Sequence, residues 1–159
     1  MYWHVDTDIV SLLVIVAVYL YAVVALRREE DTLQTRAFRR CLRVGIAVTL
    51  IDIAASVIME IPTSRFAYHT LMSLYFSAVE LTIAVWFAYS LTILYHDDGP
   101  RRKRATAALY ATYLAYALVA ASNPWTGLFY TLGEQNAYQR GPLFFLMIVV
   151  YAAYALVLF

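Results

Sequence analysis

Hydrophobic residues fall into five long runs that are separated by four polar connections. The runs extend from about 9 to 26, 44 to 61, 68 to 95, 105 to 121 and 143 to 159. A helix needs roughly 20 residues to cross a hydrocarbon core of about 30 Å, and the runs reach or approach that length. They are continuously apolar and lack the alternation of a lipid-facing barrel strand. The pattern predicts an all-α fold, a polytopic transmembrane helical bundle of five spans that occupies residues 1–159.

The basic residues orient this bundle. Ten of the twelve lie in the first and third connections, and one lies in each of the other two. The positive-inside rule places the two basic connections in the cytoplasm. The N-terminus is then outside, with Asp6 and Asp8, and an odd number of spans puts the C-terminus in the cytoplasm. No positive charge precedes the first run, as it would in a cleaved signal peptide, so this run is predicted to be retained. The basic connections carry Arg27, Arg28, Arg36, Arg39, Arg40, Arg43, Arg101, Arg102, Lys103 and Arg104.

Composition excludes several classes of protein. Hydrophobic residues make up 63% of the chain, charged residues only 14%, and the mean hydropathy is +0.65. These values exclude a water-soluble globule and a disordered chain. A net charge of +1 without a basic stripe gives no indication of a nucleic-acid partner. Cys41 is the sequence's single cysteine, which rules out an internal disulfide and a cysteine-based metal site. No catalytic or phosphate-binding motif occurs, so we expect a non-enzymatic region with no cofactor and with the lipid bilayer as a partner.

Three acidic residues lie within the predicted spans, where charged groups are costly and indicate function. Asp52 and Glu60 share one face of the second helix, and Glu80 lies on a polar face of the third helix that also holds His69. Counting from the connecting turn places Asp52 and Glu80 at similar depth near mid-membrane. Two carboxyls in a low dielectric do not both ionise cheaply, so at least one is predicted to be protonated at neutral pH.

Two interpretations of these acids stay open. They form a proton- or cation-responsive element or the polar floor of a ligand pocket, or they are neutral acids that hydrogen-bond between helices. A second small group, Glu60, Arg65 and His69, surrounds the turn between the second and third helices. Its histidine titrates near neutral pH if it is a sensor. The alternative is a solvated turn with one ion pair.

The longest outer connection, residues 123–142, is rich in aromatic residues and in turn-forming glycine and proline. Two arrangements are open: the loop lies in the membrane interface as an aromatic anchor, or it folds over the bundle as a lid. Its candidate residues are Trp125, Phe129, Tyr130, Tyr138 and Arg140.

The same loop carries a family resemblance. An Asn-Pro pair and a Phe-Tyr pair are followed by a tyrosine and by a Gly-Pro pair that opens the next helix. These residues are Asn123, Pro124, Phe129, Tyr130, Tyr138, Gly141 and Pro142. This arrangement, with the helix order and the basic connections, resembles the N-terminal membrane sensor region of bacterial histidine kinases and GGDEF-type diguanylate cyclases. That family is usually described with seven helices and an external N-terminus. Because only five runs are present, the resemblance predicts that two helices and a cytoplasmic output domain follow.

The resemblance implies a sensory input region in the bacterial inner membrane, a homodimer, and an unknown small-molecule or membrane signal. We expect a diguanylate cyclase output, which makes cyclic di-GMP, with a histidine kinase of a two-component system as the next choice. A small proton-coupled transporter or channel subunit is the alternative, since intramembrane acids suit such a carrier, and an integral membrane enzyme is the third. The candidate signal or ligand residues are Asp52, Glu80, Glu60, His69, Trp125, Phe129, Tyr130, Tyr138 and Arg140.

Overall fold

The computed structural model describes residues 3–25, 32–60, 64–95, 99–133 and 138–158. Five long helices and one very short helix account for most of these residues, and a two-stranded sheet is inserted before the last helix. In chain order the elements are α1 (Trp3–Ala25), α2 (Leu33–Glu60), α3 (Arg65–Leu94), α4 (Pro100–Ala121), α5 (Asn123–Thr126), β1 (Tyr130–Leu132), β2 (Tyr138–Arg140) and α6 (Leu146–Leu158).

The predicted all-α architecture is confirmed, and part of the span assignment with it. Within the described residues, three helical segments are long and apolar enough to cross a membrane: Thr7–Val24, Leu33–Ile58 and Arg65–Leu94. In α4, tyrosines and threonines interrupt the apolar residues, and α6 has 13 described residues. The five-span count and the orientation of the termini therefore stay predictions.

Helices α2, α3 and α4 begin earlier than the hydrophobic runs do. Helix α2 starts at Leu33 rather than near 44, because the intervening arginines are good helix formers and continue the helix beyond the apolar residues. The Thr32 hydroxyl accepts a hydrogen bond from the Thr35 backbone N–H (3.2 Å), and Ser64 caps α3 in the same way. Pro100 occupies the first turn of α4, where its missing N–H costs nothing.

Helix α3 is the centre of the bundle. It packs against α2 and α4 along its length and also contacts α6. Its buried face includes Phe76, Glu80, Ala84 and Leu91. Helix α1 packs on α2 and leaves most of its apolar side chains exposed, as lipid-facing residues of a membrane helix are. The centre of α3 is thus the best-protected part of the described molecule.

After α5 the chain forms a β-hairpin, and the sequence pattern did not predict this hairpin. Strands β1 and β2 pair antiparallel, with Tyr130 opposite Arg140 and Leu132 opposite Tyr138. Gly127 ends α5 with φ +62°, a left-handed conformation that glycine adopts without strain. At Gly141 the backbone passes so close to the preceding turn that a Cβ atom would lie 2.4 Å from the Leu128 carbonyl oxygen. Glycine at position 141 therefore lets the hairpin close onto the turn after α5.

Candidate signal-sensing site

The side chain of Asn123 holds the start of the hairpin in place. This residue is 1% exposed. Its Oδ1 accepts hydrogen bonds from the backbone N–H groups of Phe129 (2.6 Å) and Tyr130 (3.3 Å). Its Nδ2 donates to the Tyr130 carbonyl oxygen (2.9 Å). One amide side chain thereby satisfies three backbone groups that would otherwise be buried without partners.

Tyr130 connects the hairpin to α3. Its hydroxyl donates a hydrogen bond to the His69 carbonyl oxygen (3.0 Å) and lies 3.1 Å from His69 Nδ1. A phenol carries a single proton, so when that proton is given to the carbonyl, Nδ1 is the donor in the second contact. Both contacts are satisfied together when the His69 ring carries a proton on Nδ1.

Aromatic rings fill the space between the hairpin and the bundle. Phe76 of α3 stacks against both Phe129 and Tyr130, at centroid distances of 5.6 and 5.7 Å. On the other side, Tyr130 stacks on Tyr138 at 6.0 Å. Phe129 also contacts Tyr116 of α4, at 5.0 Å. Phe129 and Tyr130 are fully buried, so the described part of the segment 123–142 lies over the bundle as a lid.

Two arginines attach the rim of this lid. Arg65, in the first turn of α3, donates through Nη2 to the carbonyl oxygens of Leu132 (3.3 Å) and Gly133 (3.1 Å). The guanidinium of Arg140 lies 4.6 Å from the ring centroid of Phe144, a cation–π geometry. Both arginines are exposed, so water competes for these contacts and each stabilises the lid only weakly.

The hairpin phenols remain protonated at neutral pH. Burial raises the pKa of the Tyr130 hydroxyl above its ordinary value of 10.0. Burial also raises the pKa of Tyr138, an effect that the nearby Arg140 guanidinium partly opposes. Tyr130 therefore keeps the proton that it donates to α3.

Glu80 lies deeper, in the middle of α3. Its side chain is completely buried, and neither carboxyl oxygen makes a hydrogen bond of good geometry with a described residue. Tyr116 of α4 and Tyr154 of α6 interact with it electrostatically. The Tyr154 hydroxyl gives the carboxyl a weak hydrogen-bonding contact and also makes a long hydrogen bond, 3.5 Å, to the Leu109 carbonyl oxygen. A buried carboxyl with unsatisfied oxygens is a local cost in stability, which is typical of a functional position.

Asp52 has different neighbours from Glu80. It is half-buried on α2 and interacts electrostatically with Tyr75 of α3. Asp8 of α1 interacts electrostatically with the same tyrosine. The residues around Glu80 come instead from α4 and α6. A proton shared by Asp52 and Glu80 remains a prediction.

Some of the other candidate residues belong to the aromatic cluster beneath the lid, and others lie apart from it. Phe129, Tyr130, Tyr138 and His69 belong to one cluster, as described above. Trp125 is 86% exposed and stands apart from this cluster, as an interfacial anchor would. Glu60 is the last residue of α2, and its side chain lies outside the described part of the structure.

Sequence reasoning gave no role to Asn123 beyond the family pattern and did not single out Phe76. A clue to Asn123 was present, because an amide that is followed by proline at the end of an apolar helix needs partners if it is buried. Phe76 gave no such signal among the many aromatic residues of the chain.

Comparison with known proteins gives one match. A family model described as the N-terminal 7TM region of histidine kinase matches residues 9–159. Neither the curated proteins nor the solved structures contain a match to the chain.

Proposed function

Because the chain belongs to the family of N-terminal 7TM regions of histidine kinases, a sensory membrane region that is not itself catalytic, we propose that it supplies the input of a kinase in the bacterial inner membrane. A signal received at the outer lid changes the packing of α3, and the bundle relays this change to a cytoplasmic output domain in a homodimer. The match over residues 9–159 carries the proposal and favours a kinase output over the cyclase that was the first expectation.

The lid provides a physical basis for two states. It is joined to α3 by the Tyr130–His69 hydrogen bonds and by the stacked rings on Phe76. A ligand shifts such an equilibrium only if it binds the two states with different affinity. A small molecule with an apolar or aromatic group that displaced Phe129 from Phe76 would meet that condition.

We expect the full-length protein in nanodiscs to phosphorylate itself from ATP, at a rate that depends on the lid. His69→Leu removes the ring donor to Tyr130, a bond worth about 1 kcal/mol, which corresponds to roughly a fivefold shift in the equilibrium between states. The autophosphorylation rate should change accordingly. Thr70→Ala is the matched control, because the exposed Thr70 hydroxyl bonds only to the Phe66 carbonyl of its own helix among the described residues.

Two results would contradict this proposal. Equal autophosphorylation rates in His69→Leu and wild type would show that the lid takes no part in the relay. Synthesis of cyclic di-GMP from GTP, without phosphorylation of the protein, would replace the kinase with the cyclase output.

We further propose that the lid faces the exterior and that the basic connections face the cytoplasm. A thiol introduced by Trp125→Cys should react with a membrane-impermeant maleimide in intact cells, and one introduced by Arg101→Cys should react only after permeabilisation. Both positions are exposed, and Cys41 is 1% exposed and contributes little background. The opposite labelling pattern would invert the topology and exclude the external lid.

A further inference from the structure

A cavity of about 570 Å³ opens between α2, α3 and α4 at the end of the bundle opposite the lid. Its walls come from the first turns of α2 and α4 and from the last turns of α3. Helix α3 contributes Tyr89 and Thr92, and α4 contributes Thr106 and Tyr110. The cavity is large enough for a small ligand or for the headgroup of a lipid.

Four cationic side chains line this cavity. Arg36 and Arg40 come from α2, and Arg102 and Lys103 come from α4. Arg102 is only 8% exposed, whereas the other three are exposed. Four positive charges from two helices therefore converge on one space.

The location of the cavity narrows the class of ligand. Its cations belong to helix ends where the polar connections begin, next to apolar helix surfaces that include the exposed Ile93 and Leu94 of α3. Basic pockets between membrane helices at this level bind anionic headgroups. Arginine also pairs with phosphate oxygens through two parallel hydrogen bonds. The hydroxyl groups of Thr106 and of the two tyrosines can supply further donors.

We propose that this cavity binds a phosphate-bearing anion, either the headgroup of an anionic phospholipid or a free phosphate compound. The site is separate from the outer lid, and the inference does not depend on the identity of the output domain. Because all three helices that form the cavity contribute to the bundle core, a bound phosphate that contacts cations of both α2 and α4 would hold these two helices together.

The test uses the protein in phosphatidylcholine nanodiscs, with short-chain phosphatidylglycerol as the lipid probe and inorganic phosphate as the soluble probe. Binding is followed by native mass spectrometry for the lipid and by calorimetry for phosphate. Arg36→Gln, Arg40→Gln and Lys103→Gln change exposed lining residues and should not impair folding, and Arg102→Gln tests the buried cation. Each variant should raise the Kd about fivefold, the equivalent of ~1 kcal/mol per cation near an anionic surface.

Arg43→Gln and Arg101→Gln are charge-matched controls on the same two helices, since both are exposed and neither lines the cavity. Weaker binding in the lining variants alone supports the site. Saturation by phosphatidylglycerol that phosphate does not displace identifies a lipid site, and binding of phosphate itself identifies a soluble ligand. Equal losses in lining and control variants, or no binding of either probe, would overturn the proposal.

Discussion

Asn123→Ala should lower the free energy of unfolding by about 3 kcal/mol. The substitution removes the amide that bonds to the Phe129 and Tyr130 N–H groups and to the Tyr130 carbonyl. Each backbone group left unsatisfied in a buried site costs roughly 1–3 kcal/mol, and partial rehydration limits the total. Unfolding of the protein in mixed micelles by increasing fractions of a denaturing detergent measures the difference.

Ser122→Ala is the appropriate comparison for this variant. Its hydroxyl bonds to the Val119 carbonyl within the same helical turn (2.8 Å), so its loss should cost less than about 1 kcal/mol. If the two variants lose the same stability, the amide of Asn123 does not hold the hairpin.

Glu80→Met should stabilise the bundle by about 1–3 kcal/mol and abolish the response to the signal. The wild-type carboxyl is fully buried, and among the described residues its oxygens make no hydrogen bond of good geometry, only a weak contact with the Tyr154 hydroxyl. Replacing a buried polar group with an apolar one of similar volume is neutral or stabilising when no bond is lost. A gain in stability with a loss of function is the trade-off expected where a strained group serves the activity.

Glu80→Gln separates the two effects. The amide retains a buried polar group that still needs partners, so this variant should show a smaller gain in stability than Glu80→Met. Asp52→Asn, made in parallel, tests whether the second acid belongs to the same response. A marked loss of stability in Glu80→Met would show that the carboxyl has a structural partner, and a normal signal response would exclude Glu80 from signalling.

The helices could be predicted from the sequence because a membrane span is a long run of hydrophobic residues. Their starts could not, since the arginines before the apolar run of α2 continue a helix as readily as they form a loop. The sequence places Glu80 within the third helix, and the structure shows that its side chain is buried there. Its neighbours on α4 and α6 depend on the order of helix packing, which a hydrophobic pattern does not encode.

The lid was harder to predict than the bundle. Its strands are three residues each, too short for a periodic signal, and their arrangement depends on one amide and one close backbone approach. The aromatic content allowed either an interfacial anchor or a cover over the bundle. The structure divides these roles, because Trp125 is exposed while Phe129 and Tyr130 are buried.

The central position of α3 connects the two ends of the bundle through one continuous helix. This unbroken helix holds the lid at His69 and reaches the basic cavity at Thr92, which at 1.5 Å per residue is a distance of about 35 Å. A rigid rod of that length, tilted by about 5° at one end, displaces the other end by about 3 Å. A change too small to rearrange the rings beneath the hairpin would thus be enough to make or break contacts at the far end of the bundle.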